Sequence, residues 1–248
     1  MINILIPMGG KSDFFESHEY VYPRSLIEIH GKTMIQRIIE NYSEFDNKNF
    51  IFVTNQADSE TYHLDSILRL LTDSKCDILK LSGQTKGAAC SALMAIELIN
   101  NETPLIIANG DQVIEAPLAE IEKKFQTEEL DAAVVTFESI HPKWSYIRAD
   151  KSNRVIEAAE KRPLSKNAIA GFYYFRNGRD FVSAAMQSIA KDAHVNDIFY
   201  IAPVLNELVL AGKKIGYHAI DASTYHSFYS PAKIVEYENW LEKFGEKQ

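Results

Sequence analysis

What constrains this chain most is how it begins. Residues 2–8 read Ile-Asn-Ile-Leu-Ile-Pro-Met, an apolar run of the length of one buried strand, and the run ends abruptly at Gly9-Gly10-Lys11. A glycine pair straight after a buried strand lets backbone amides approach a bound anion closely, because no side chain intervenes. About a dozen residues later the chain reads Tyr22-Pro23-Arg24-Ser25-Leu26-Ile27-Glu28-Ile29, then Gly31-Lys32-Thr33-Met34-Ile35, where a helical pattern starts. A glycine turn accompanied by basic residues at Lys11, Arg24 and Lys32 suits the phosphates of a nucleotide. A glycine pair by itself more often just turns the chain; the combination is what carries weight.

Composition narrows the class. A chain of 248 residues fits one large domain, or a domain with a small lobe, and 46% hydrophobic residues supply a core without disulfides or a structural metal. A net charge of −8 argues against general binding to nucleic acid or anionic membranes. The two cysteines, Cys76 and Cys90, lack CxxC spacing and read as buried free thiols in a reducing compartment. The start lacks a charged n-region, Pro7-Met8-Gly9-Gly10 breaks the apolar run too early for a signal peptide, and no run reaches the ~20 residues of a membrane span. The expectation is a soluble, cytoplasmic protein. Oligomeric state, including a homo-oligomer, is left open.

Along the chain, strand and helix patterns alternate through the first half. Helical spacing covers 33–42 and 59–71, short strands are expected at 50–54, 77–81 and 104–108, and a small-residue helix at 88–100 follows the polar loop Gly83-Gln84-Thr85-Lys86-Gly87. Such alternation implies an α/β fold, a Rossmann-like, mixed but mostly parallel sheet flanked by helices, in which ligands bind at the carboxyl ends of the strands. The loops 7–11, 83–87 and 109–112 should therefore share one edge. The second half reads as strands at 132–138, 146–149, 155–159, 169–175 and 214–220, with helices at 180–190, 200–211 and from Pro231 through Trp240. A single domain over 1–248 is expected, with a nucleotide-binding half at 1–130 and an acceptor-binding half at 131–248.

Several residues on that edge bear chemistry. The loop 83–87 runs into a helix start at Ala88, where free amides and the helix dipole favour anions, although small residues there also serve close packing. Asp111, in Asn109-Gly110-Asp111-Gln112, is placed to hold Mg²⁺ against phosphate oxygens, since that ion prefers one or two carboxylates plus phosphates. Asp197 offers a second metal carboxylate or an N-cap for the following helix. No histidine sits in metal-ligand spacing and no Ser/His/Asp or Cys/His pattern stands out.

The run from Pro7-Met8-Gly9-Gly10-Lys11 through Pro23-Arg24-Ser25-Leu26 to Gly31-Lys32-Thr33-Met34-Ile35 resembles the opening of the sugar-phosphate and choline-phosphate nucleotidyltransferases. Glu160-Lys161-Arg162-Pro163 resembles that family's Glu-Lys-Pro, and 167–175, with Gly171, resembles its next strand. The resemblance extends from Ile2 to about Pro231. It implies transfer of a nucleotidyl group from an NTP, with CTP favoured, to a phosphorylated sugar or other small molecule, releasing pyrophosphate for capsule or surface-glycan synthesis. By the same resemblance Pro7, Met8, Gly9, Gly10, Lys11, Gly83, Gln84, Lys86, Gly87 and Ala88 would bind the nucleotide, with Lys11 and Arg24 catalytic on its triphosphate. Asn109, Glu160, Lys161 and Gly171 would bind the acceptor, and Asp111 and Asp197 would hold Mg²⁺. The chain departs from the family at Phe14 and Arg24, where an arginine and a lysine are expected, and at Ser227 and Tyr229, where aspartate and glycine are expected. Two other classes compete: a glycosyltransferase of the GT-A type, which usually carries Asp-x-Asp where this chain has Asn109-Gly110-Asp111, and a non-catalytic nucleotide-binding relative.

Overall fold

A computed structural model describes residues 1–10, 15 and 21–245; Lys11 and Phe14 lie outside the described residues. In chain order the elements are β1 (Ile2–Pro7), a 3₁₀ turn at Arg24–Leu26, β2 (Glu28–Ile29), β3 (Lys32–Thr33), α1 (Met34–Glu40) and β4 (Lys48–Asn55). Next come α2 (Gln56–Tyr62), α3 (Leu64–Leu71), β5 (Cys76–Leu81), α4 (Ala88–Leu93), α5 (Ile96–Ile99), β6 (Leu105–Ala108), β7 (Gln112–Ile114) and α6 (Leu118–Thr127). The second half holds β8 (Ala132–Glu138), β9 (Ser145–Ala149), β10 (Val155–Glu160), β11 (Asn167–Phe175), α7 (Gly178–Ala190), α8 (Ile201–Leu210), β12 (Ile215–Ile220), β13 (Tyr225–Ser227) and α9 (Pro231–Phe244).

Among the described residues one nine-stranded sheet runs β10-β9-β11-β6-β1-β4-β5, with β8 on β11 and β12 on β8. It is the mixed, mostly parallel sheet expected: β6, β1, β4 and β5 are parallel throughout, and β11 joins antiparallel to β6. The apolar runs explain the layering. Along β1, Ile4 and Ile6 face one core and Leu5 the other, all fully buried, because successive side chains of a strand point to opposite faces. Along β4, Phe50 and Phe52 share the first face while Ile51 and Val53 share the second. Helices α1, α3, α6 and α9 cover the first face; α4, α7 and α8 cover the second. A central strand buried on both sides reads as a continuous hydrophobic run, as β1 does.

Some element expectations need correction. The helix expected over 59–71 is two helices joined at His63, whose backbone is left-handed (φ 53°) and whose amide caps α2 through the Ser59 carbonyl at 3.1 Å. That conformation costs on the order of 1 kcal/mol for a non-glycine, offset by the burial of Leu64 and Leu68. The helix expected over 88–100 breaks at Met94-Ala95, where amide bonds to Ser91 and Ala92 tighten the turn. Helix α6 was not anticipated, nor was the pairing of β7 with β13. Cys76 is buried as expected, but Cys90 is only partly so. Among the described residues no helix is long and apolar enough to cross a membrane.

Candidate active site

Parallel pairing brings the carboxyl ends of β1, β5 and β6 to one edge. Gly9 packs against Leu81, the last residue of β5, and Gly110 packs against Met8 and Ile6. The loops after β1, β5 and β6 are thereby neighbours. The Met8 amide is spent on the Val53 carbonyl at 2.8 Å. The amides of Gly9 and Gly10 have no hydrogen-bond partner among the described residues, and the space over Gly10 is open.

Arg24 enters this edge from the 3₁₀ turn, which Pro23 starts and the Leu26 amide closes on the Pro23 carbonyl at 2.8 Å. Its Nη1 donates to Asp111 Oδ2 at 3.0 Å, with the two side chains 24% and 25% exposed. Asp111 is held from behind by its carbonyl, which accepts the Phe228 amide at 2.7 Å. Strand β13 pairs with β7 so that Ser227 stands opposite Gln112. Ser227 therefore lies beside the Asp111 turn. Lys32, by contrast, is engaged elsewhere: its Nζ pairs with Glu40 Oε2 at 2.8 Å.

The loop 83–87 is ordered from within. Thr85 Oγ1 lies 2.6 Å from Ser91 Oγ and donates to the Gly87 carbonyl at 3.1 Å. The expectation of free amides at the start of α4 is overturned in part, because the Ala89 amide donates to the Phe199 carbonyl at 3.0 Å. Gly87 has φ 119°, and a Cβ there would stand 2.4 Å from Phe199 O, so this glycine admits the 198–199 segment. Asp197 lies in the turn leading into that segment, with left-handed φ 60° and a side chain 91% exposed, 3.8 Å from His194 Nε2. It does not cap a helix; the N-cap of α8 is Tyr200.

The acceptor-side candidates form a second cluster. Glu160, the last residue of β10, pairs in register with Ser145 of β9, whose hydroxyl donates to its carboxylate. Burial pushes the Glu160 carboxyl above its usual range, opposed by the Ser145 hydrogen bond and the Lys161 charge. Lys161 has left-handed φ 54°, its amide bonds the Trp144 carbonyl at 3.0 Å, and a hydrogen bond with Tyr200 raises its ammonium pKa. Gly171 sits where β11 slips register against β8. Its φ is +61°, and a Cβ would fall 2.3 Å from both Asn109 Nδ2 and Gln112 Oε1. The Gly171 carbonyl accepts the Asn109 amide at 3.1 Å, and Asn109 Nδ2 donates to Gln112 Oε1 at 3.2 Å. Tyr225 completes the link, donating its hydroxyl to Gln112 Oε1 at 3.2 Å. Gln112 and Tyr225 were not singled out as site residues in the sequence; a three-residue strand and its distant partner leave no local periodicity to find them by.

Magnesium was expected at this edge. Among the described residues no group of three or more His, Cys, Asp or Glu side chains could hold a metal ion. A single carboxylate, Asp111, beside open glycine amides fits an ion whose remaining ligands are substrate phosphates and water.

Comparison with known proteins agrees with this architecture. The nucleotidyl transferase family model matches residues 20–218. The bifunctional protein GlmU of Buchnera aphidicola is 24% identical over 220 residues, covering 84% of this chain and 45% of that protein, so this chain spans about half of its length. A solved nucleoside-diphosphate-sugar pyrophosphorylase from Vibrio cholerae RC9 superposes with a TM-score of 0.79 at 22% identity, covering 95% of this chain and 99% of that one. A UDP-glucose pyrophosphorylase solved with UDP-glucose gives 0.78 at 19% identity, covering 98% and 99%. The chain belongs to the nucleotidyl transferase family.

Proposed function

We propose that this protein is a sugar-phosphate-type nucleotidyltransferase. The acceptor's phosphate oxygen attacks the α-phosphorus of an NTP, the bond from that phosphorus to the bridging oxygen of the β-phosphate breaks, and pyrophosphate leaves with the electron pair. No side-chain nucleophile is needed; the work is positioning two anions in line and neutralising charge as it develops. The observation that carries this reading is the ion pair of Arg24 and Asp111 on the same strand edge as the Gly9 and Gly10 amides, which have no partner among the described residues.

In this reading Gly9, Gly10 and Arg24 take the triphosphate, with Pro7 and Met8 shaping the turn, and Lys11 acts from the same loop. Gly83, Gln84, Lys86, Gly87 and Ala88 form the base side. Asp111 would hold Mg²⁺, with Asp197 a candidate second ligand; the ion would supply neutralisation of phosphate charge. Glu160, Lys161, Asn109 and Gly171 serve the acceptor. CTP is the first donor to try, and a role in capsule or surface-glycan synthesis suits such a product. The test is pyrophosphate release with each NTP against phosphorylated sugars, polyols and choline phosphate. Release that depends on both substrates supports the proposal; release with no combination rejects it.

A further inference from the structure

We propose that Lys143 is a substrate-binding residue, a second ammonium beside Lys161 that receives the phosphate of the acceptor. The proposal rests on the reading of Glu160 and Lys161 as the acceptor side.

The lysine is held in an unusual way. Its Nζ lies 4.3 Å from the centre of the Trp144 ring and 3.8 Å from that of Tyr229. Among the described residues no carboxylate pairs with it and no acceptor takes its three N–H donors. Aromatic faces attract an ammonium through the ring quadrupole but do not satisfy its donors. A lysine that only needed solvation would extend into water, as its flexible stem permits. Here the head lies over two rings, and no protein acceptor among the described residues takes its N–H donors.

The surroundings are built to keep it there. The Lys143 amide donates to His141 Nδ1 at 3.2 Å, fixing the turn into β9. Trp144 packs edge-on to Phe137 and Tyr225 at 5.5 Å each and to Tyr229 at 6.3 Å, so the rings form one corner. That corner is continuous with the site: Tyr225 bonds Gln112 next to Asp111, and the Trp144 carbonyl anchors the Lys161 amide. Lys143 Nζ thus rests on the Trp144 ring, while the neighbouring Lys161 is tied to Trp144 through its backbone amide and its ammonium bonds Tyr200. An ammonium held on aromatic faces, with no carboxylate partner among the described residues, matches a phosphate, which an ammonium binds as a point charge without a fixed direction.

Trp144 is itself the reporter. The chain has two tryptophans, and replacing the other, Trp240 of α9, with phenylalanine leaves Trp144 as the sole source of indole emission. Titrating the Trp240→Phe protein with inorganic phosphate should give a saturable emission change. Adding Lys143→Gln should weaken phosphate binding by about tenfold or more, and Lys143→Arg should restore it to within about threefold, because a charge-assisted bond is lost and regained. NTP affinity should not move in either variant, and circular dichroism should confirm that both are folded. No response to phosphate, or an unchanged affinity in Lys143→Gln, overturns the proposal. A response to choline tighter than to phosphate also overturns it, because the rings then serve a cationic ligand that displaces Lys143. Phosphate binding through Lys143 without pyrophosphate release from any NTP would sustain this inference and reject only nucleotidyl transfer. Pyrophosphate release with an unchanged acceptor KM in Lys143→Gln would do the reverse.

Discussion

The Arg24 guanidinium stands 3.0 Å from the Asp111 carboxylate, so one ion pair joins the Pro-Arg-Ser-Leu turn to the loop after β6. Both side chains are about a quarter exposed, and a pair so placed contributes on the order of 1 kcal/mol or less. In the proposed reaction the pair would part at little cost, with a triphosphate offering Arg24 a stronger anion and a divalent ion offering Asp111 a stronger cation.

Removing either partner should cost turnover far more than stability. Arg24→Ala and Asp111→Asn are each expected to lower pyrophosphate release by roughly a hundredfold, as for loss of a charge-stabilising group. The thermal midpoint should move by no more than about 4 °C. Arg24→Lys should fall between wild type and alanine, because an ammonium lacks the guanidinium fork. Wild-type kinetics in Arg24→Ala would remove this residue from the reaction.

Gly171 makes a second point of attack. An added Cβ has no room between Asn109 and Gln112, and its φ of +61° is unfavourable for any other residue. Gly171→Ala should destabilise the fold by about 1–3 kcal/mol in urea titrations and also lower turnover, because Gln112 holds the Asp111 loop to Tyr225. Full stability with full activity would show that the loop tolerates displacement.

His226 of β13 supplies a pH signature. It lies against Tyr237 and Trp240, its Nε2 is buried without a partner among the described residues, and burial lowers its pKa from 6.5 to about 4. The unfolded chain then binds a proton more readily than the folded one. This contribution is fully present above about pH 6.5 and is lost as pH falls toward 4, where the folded state protonates too. Partial solvent access limits the loss to on the order of 1–2 kcal/mol. His226→Phe should flatten the fall in urea midpoint between those pH values. An unchanged slope would assign the acid sensitivity elsewhere.

Much of the fold was legible where local pattern and tertiary role agree. The apolar run of β1, the alternation of strands and helices, and the shared edge of three loops all follow from short-range signals. The missed features have a common cause. Strand β7 is three residues long and is paired by β13, more than a hundred positions away, so neither has a period to read. The pattern Leu118, Ile121, Phe125 did mark α6 at helical spacing and was readable. At the site, Asp111 and Glu160 could be named from their motifs. That Arg24 would rest on Asp111, and that Lys143, Trp144 and Tyr229 would meet, depends on packing between distant segments, which no spacing encodes. Lys11 and Phe14 lie outside the described residues.

The central claim is that a nucleotidyl group moves from an NTP to a phosphorylated acceptor. The most direct measurement follows the label from each NTP, radiolabelled at its α-phosphorus, in the presence of Mg²⁺ and a panel of phosphorylated sugars, polyols and choline phosphate. The account predicts that label passes into a nucleoside-diphosphate product with an equal amount of pyrophosphate, only when an acceptor is present, and that Asp111→Asn loses this transfer by roughly a hundredfold. Tight NTP binding with no label transferred to any acceptor, or nucleoside diphosphate released from a nucleotide sugar instead, would contradict it.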